Sequence, residues 1–112
     1  MSPQYPLSKQ ERFVTKVDEL EAVSGEIGAA YRSLRKAVDS YGTLSEKERH
    51  LVLLAGFAAT RNEGGFRVHC TRAKQSGASL ADVEQTVLLM LGTSLGVAPV
   101  VEALHWAQDE LA

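Results

Sequence analysis

A serine followed three residues later by an acidic residue, just ahead of apolar side chains at helical spacing, occurs at Ser8 with Glu11, Ser45 with Glu48 and Ser79 with Asp82. In such a capping box the hydroxyl accepts from a backbone N–H of the first turn, and the carboxylate accepts from the N–H of the serine. Each pair therefore marks the start of a helix. After every mark the apolar residues recur at three- and four-residue steps, and no stretch alternates as a half-buried strand does. The chain reads as all-α.

The apolar stripes define about six helices. Phe13, Val14, Val17 and Leu20 belong to the first, behind a loose leader marked by Pro3 and Pro6. The second starts at Ser24 or Gly25, carries Ile27, Ala30, Tyr31, Leu34 and Val38, and stops at Tyr41-Gly42. A third runs from Ser45 to about Arg61, and its residues 51–59 are apolar on every side. A helix of that kind is normally buried nearly all round, and a domain of 112 residues rarely covers one unaided, so the chain is expected to form homo-oligomers. Gly64-Gly65 is expected to break the chain before a fourth helix that Gly77 ends. The fifth carries Val83, Val87, Met90 and Leu91. After a turn over residues 92–98, with Pro99 in the first helical turn, the last holds Val100, Ala103, Leu104, Trp106 and Leu111.

Composition narrows the function classes. Apolar residues are 45 % and charged residues 23 % of the chain, as in an ordinary globular domain, and residues 1–112 read as one domain. A formal charge of −2 gives no drive toward nucleic acid or an anionic membrane surface. One cysteine, Cys70, excludes an intrachain disulfide and suits a reducing cytosol. The start has no signal-peptide pattern, and the apolar run 87–101 is too short for a membrane span and is interrupted by Gly92, Gly96 and Pro99. A cytoplasmic location is the expectation.

The fourth helix carries the candidate chemistry. At 100° per residue, Phe66, His69, Cys70, Ala73 and Gly77 share one arc, whereas Arg67, Thr71 and Lys74 face elsewhere. His69 on that inward arc is either a general acid or base, tunable around neutral pH, or a core histidine satisfied by backbone or water. His50 lies on a stripe with Leu54, Phe57 and Arg61; if the third and fourth helices pack antiparallel, it shares a pocket with His69, and otherwise it is partly solvated near the helix start. His105 either closes that pocket or is exposed. Arg61, Arg67 and Arg72 are each either a bidentate anchor for a carboxylate or a solvated charge. Glu63 either caps the fourth helix or acts as an acid or base. Cys70 is a small buried hydrophobe, or a reactive thiol if His69 or the arginines lower its pKa. The three histidines have no metal-ligand spacing, so no metal is expected, and no phosphate-cradling, nucleophilic-serine or dinucleotide motif is present.

Leu44-Ser45, the helix over 51–59, the run Phe66-Arg67-Val68-His69, then Ala73, Gly77-Ala78-Ser79 and the Gly96 to Pro99 turn occur in an order and spacing that resemble the carboxymuconolactone decarboxylase family, which includes the alkylhydroperoxidase D-like proteins. The resemblance covers residues 44–107 as a family core, with residues 1–23 as an N-terminal leader and helix. It implies a trimer or hexamer of helical domains. Peroxidase-like members carry a Cys-x-x-Cys pair, a histidine four residues after its second cysteine, and a glutamate twelve residues before its first. Those cysteine positions hold Asn62 and Gly65 here, and the glutamate position holds His50. Because a thiol–disulfide cycle needs two sulfurs or one with a resolving partner, thiol peroxidase activity is expected to be absent. The decarboxylase branch lacks the pair, and similarity to it implies cofactor-independent loss of carbon dioxide from a small lactone acid. On that reading His69 and His50 are the catalytic residues, with Arg72, Arg67 and Glu63 binding the carboxylate substrate. The alternative is a non-catalytic helical oligomer or small-ligand module on the same scaffold.

Overall fold

The computed structural model describes residues 15–112. They form α1 (Lys16–Val23), α2 (Gly25–Ser40), α3 (Glu46–Ala59), α4 (Glu63–Gln75), α5 (Leu80–Leu88) and α6 (Val97–Leu111). No strand occurs among the described residues; a single bridge joins Leu91 and Leu95 within the turn before α6. The all-α expectation holds. The chain divides at Gly42–Thr43 into two compact units, each taken by itself below.

In the first unit α1 and α2 form a hairpin about Ser24, which ends α1 and also caps α2 by accepting from the Ile27 N–H at 3.2 Å. The helices approach where α2 has no side chain: a Cβ at Gly28 would lie 2.8 Å from Glu21 Cα. Arg32 donates to Glu21 at 2.5 Å and to Asp18 at 2.7 Å, tying the hairpin from its polar side. Helix α1 begins one residue after Thr15, whose hydroxyl and Asp18 carboxylate form a capping box. This start was not anticipated from sequence, because threonine replaces serine in the motif; the expected box at Ser8 with Glu11, and Phe13 and Val14, lie outside the described residues. Gly28 is the only described residue of this hairpin that is buried, and α1 leaves Ile27, Tyr31, Leu34, Val38 and Tyr41 uncovered.

The second unit holds the core. Leu54 and Ala58 from α3, Phe66, Cys70 and Ala73 from α4, Val83 and Val87 from α5, and Val100, Ala103, Trp106 and Ala107 from α6 pack into one cluster with Ala78 and Met90. Phe66 and Trp106 meet at a tilt with ring centroids 5.7 Å apart, a favoured aromatic geometry. The capping boxes at Ser45 with Glu48 and at Ser79 with Asp82 are both formed. In the turn after α5, the Met90 carbonyl accepts from the N–H groups of Thr93, Ser94 and Leu95, and Gly92 takes φ 80°. Pro99 sits in the first turn of α6, where no intrahelical donor is required.

Two local expectations are corrected. Gly64-Gly65 does not break the chain; both lie in the first turn of α4, because Asn62 accepts from the Gly65 N–H at 3.0 Å and opens the helix before them. Gly65 is needed there as a close-approach point, since a Cβ would stand 2.6 Å from the Phe57 ring. As expected for a domain of this size, the single chain covers helix α3 only in part: Leu54 and Ala58 are buried, whereas Val52, Gly56 and Ala59 are exposed. The helix ends at Ala59, two residues short of Arg61. There Arg61 adopts φ 58° and donates its N–H to Ala58 O, and the Asn62 N–H reaches Phe57 O at 2.9 Å. This is a Schellman end with arginine in the left-handed position where glycine is usual. Helix α4 closes the same way, with Gly77 at φ 97°, Gly77 N–H to Lys74 O and Ala78 N–H to Ala73 O.

Candidate functional site

The three-residue connection between α3 and α4 sends α4 back along α3. Phe57 then lies against Gly65, and His50, about two turns before Phe57, meets His69, about one turn after Gly65. Their Nδ1 atoms are 3.4 Å apart, and the rings tilt by 45° with centroids 5.5 Å apart. Phe57 covers the other side of His69, with ring centroids separated by 5.0 Å. The His50 side chain is only 17 % exposed, and its Nε2 lies 3.9 Å from Glu46 Oε1, one helical turn earlier. His69 is partly buried on the arc whose neighbours Phe66, Cys70 and Ala73 are fully enclosed. Burial of two imidazoles side by side is chemically informative: facing nitrogens attract only when one carries a proton and the other a lone pair. Such a pair can take up, pass and release protons.

The other candidates fall elsewhere. Arg67 donates from Nε to Glu63 at 2.8 Å, from Nη2 to Asp109 at 3.1 Å and from Nη1 to Glu110 at 3.2 Å. The hydrogen bond to Glu63 is the main cause that raises its pKa above the ordinary guanidinium value. Arg67 thus fastens α4 to the end of α6, while Glu63 is paired with it within α4. Glu63 does not cap α4, which is the work of Asn62. Arg61 pairs with Glu102 at 3.4 Å. Arg72, three residues after His69 and so on a neighbouring line of the helix, is exposed. His105 is exposed as well.

Cys70 is wholly enclosed, and burial pushes its thiol up to about 12, with Glu110 adding to the rise. The thiolate is the reactive form, so this sulfur stays unreactive in the fold and the reading of Cys70 as a redox residue is set aside. Asn62 and Gly65 stand at the two positions where the peroxidase-like pattern has sulfur, and at Gly65 the Phe57 ring already fills the space of a side chain. No group of three or more His, Cys, Asp or Glu arranged to hold a metal ion occurs among the described residues. No helix among them is long and apolar enough to cross a membrane.

The model of the carboxymuconolactone decarboxylase family matches residues 25–109, well over half of the chain. The chain belongs to that family. The match begins at the first residue of α2, upstream of the core over 44–107 expected from sequence, and it includes both histidines. No curated protein matches the chain. Nor does any solved structure. Within the carboxymuconolactone decarboxylase family, a lone cysteine leaves this member without the cysteine pair.

Sequence reasoning did not single out Glu46 and Phe57 as neighbours of the pair. Glu46 stands four residues before His50, a helical spacing that was available as a signal. Phe57 could be recognised only through the approach of α4 at Gly65.

Proposed function

We propose that this family member is a cofactor-independent decarboxylase or related lyase acting on a small carboxylate or lactone acid, with His69 as the proton-transferring residue and His50 as its partner. The observation that carries the reading is the 3.4 Å approach of the two imidazoles, partly withdrawn from water, beside an aromatic wall. Decarboxylation breaks the bond to the departing carboxylate and leaves its electron pair on carbon. An adjacent carbonyl takes up that pair as an enolate, and a proton is then delivered to the carbon. A charged imidazole supplies both the proton and, before transfer, stabilisation of the developing negative charge. Arg72 is the anchor for the substrate carboxylate, because Arg67 already serves three carboxylates.

The test follows carboxymuconolactone and related small acids by ultraviolet absorbance with the parent protein and with His69→Gln. Turnover by the parent and a loss of a hundredfold or more in the variant, in the usual range for a positioned acid or base, is the expected result. No turnover of any of these acids by the parent defeats the assignment.

A second reading is favoured by a different observation. Ile27, Tyr31, Leu34, Val38 and Tyr41 follow one another at steps of four, three, four and three residues and are all exposed in their unit. That is the spacing of a seam between helices. It supports a homo-oligomer, trimer or hexamer by the family's habit, in which the scaffold serves assembly or ligand binding without a reaction. Sedimentation of the parent protein tests the association; a monomer at all concentrations removes it.

A further inference from the structure

Arg67 brings one positive charge to three carboxylates. It donates from Nε to Glu63 within α4, and from Nη2 and Nη1 to Asp109 and Glu110 of α6. Glu63 lies one turn before Arg67 and holds the guanidinium from its own helix, so the other two bonds reach across to α6. The arginine side chain is only 29 % exposed, which leaves its charge less screened than that of a surface pair. Without the guanidinium, three carboxylates would face one another.

The last turn of α6 depends on this grip. It contains Asp109 and Glu110 and no basic residue, although the negative end of a helix macrodipole favours a cation. Arg67 supplies that cation from α4. Gln108, Asp109 and Glu110 are exposed, and Leu111 is partly buried against the core. Gln108 adds one hydrogen bond to Glu84 of α5 at 3.2 Å. The preceding turn is held differently: Ala103, Trp106 and Ala107 belong to the buried core, and Trp106 meets Phe66. A segment fastened by polar contacts at its edge opens at a lower free energy than the apolar core behind it.

Beside this turn lies the thiol. Cys70 follows Phe66 by one turn on the inward line of α4 and is fully enclosed. Burial is the main cause of its raised pKa; the charge of Glu110 raises it further, and that of Arg67 opposes the rise. Both members of the grip therefore stand close to the sulfur.

We propose that residues 108–111 form a latch over the Cys70 thiol, closed by Arg67, which opens by unfolding this one turn while the rest of the core stays folded. Opening admits water to the sulfur and removes the main cause of its raised pKa, so it supplies both access and the thiolate form. The latch is independent of the reaction proposed for the two histidines. Its control is charge: the screening length falls from about 10 Å at 0.1 M salt to about 3 Å at 1 M, so the grip weakens and the thiol is uncovered more often.

Native-state hydrogen exchange of the labelled full chain, followed by NMR at rising urea below the unfolding transition, tests this. The amides of residues 109–111 should exchange at a rate that urea barely changes, the signature of a local opening. Those of Val83 and Val87 on α5 should accelerate steeply, because they open only with the whole core. Alkylation of Cys70 by iodoacetamide should be slow and follow the first pattern. Arg67→Met keeps an apolar stem and drops the charge; it should speed both exchange at 109–111 and alkylation about tenfold, with Arg67→Lys in between because an ammonium lacks the planar fork. Alkylation that rises with urea in step with Val83 and Val87 shows that the thiol opens with the core, and overturns the latch. So does an Arg67→Met protein whose rates at 109–111 match those of the parent. Should that variant not fold, the parent decides alone: both rates should rise severalfold between about 0.1 M and about 1 M sodium chloride, and no rise removes Arg67 from the account.

Discussion

Two helical hairpins in this protein show two ways of holding helices together. In α1–α2 the contact is a glycine approach reinforced by Arg32 between Asp18 and Glu21, and its only buried described residue is Gly28. In α3–α4 the contact is apolar: Leu54, Ala58, Phe66, Cys70 and Ala73 are buried, and Phe57 seats on Gly65. Exposed ion pairs contribute little because water and salt screen them. Enclosed apolar area contributes far more, at roughly 25 cal/mol per Å². The histidine pair lies in the second kind of hairpin, where close packing holds both rings in register.

The largest effect should come from emptying that packing. Phe66→Ala removes a side chain with no exposed surface and should lower stability by about 3–5 kcal/mol in urea unfolding, whereas Val23→Ala in the other hairpin, at an exposed position outside the apolar seam of α2, should change it by less than about 0.5 kcal/mol. Equal effects would erase the distinction. Overfilling the same hairpin comes next. Gly65→Cys would place its Cβ 2.6 Å from the Phe57 ring and should cost about 1–3 kcal/mol, with most of the loss relieved in a Phe57→Ala background. Additive effects of the two substitutions would show that the ring is not what excludes a side chain there.

The two Schellman ends of the packed hairpin give a finer test. Gly77→Ala should lower stability by about 1 kcal/mol, because φ 97° suits only glycine, and Arg61→Gly should raise it by up to about 1 kcal/mol. Melting temperatures that move the same way in both variants would contradict the account of these ends. Smallest is the polar clamp. The Thr15 cap and, after it, Arg32 hold the Asp18 carboxyl below its ordinary value, so its contribution is present above pH about 4 and fades as pH falls through the lowered pKa. Arg32→Ala should lower stability only slightly and lose even that at high salt, a dependence that unfolding at two ionic strengths measures.

At the other end of the pH scale the buried thiol provides a separate check. Its pKa rises from 9.0 to about 12 on folding, so the unfolded chain loses its proton first and stability should decline as pH climbs from 9 toward 12. A thiol reagent at neutral pH should label Cys70 only after unfolding; rapid labelling of the native protein would contradict its enclosure.

Much of the fold was legible because helix starts are written locally. Ser45 with Glu48 and Ser79 with Asp82 form the boxes their spacing announces, and Gly77 ends α4 as a glycine in that place should. The failures share a cause. Gly64-Gly65 looked like a break because glycine is a poor helix former, yet the Asn62 cap and the Phe57 ring favoured a helix with no side chain there. Arg61 gave no sign of a left-handed turn, since its conformation is imposed by the helices it joins. At the site, the inward arc of α4 was readable from 100° steps, and the meeting of His50 with His69 was stated only as a condition on antiparallel packing.

The sequence by itself determined the helical class, most of the helix boundaries and the lack of a second sulfur, because caps, periodicity and residue identity act within a few residues of the chain. Tertiary structure alone decided that His50 faces His69 through Nδ1, that Phe57 occupies the space beside Gly65, and that Arg67 is spent on Glu63, Asp109 and Glu110. Apart from the local Arg67–Glu63 pair, those contacts join residues 8 to 43 positions apart, and their geometry depends on how closely whole helices approach, a quantity that no local pattern encodes.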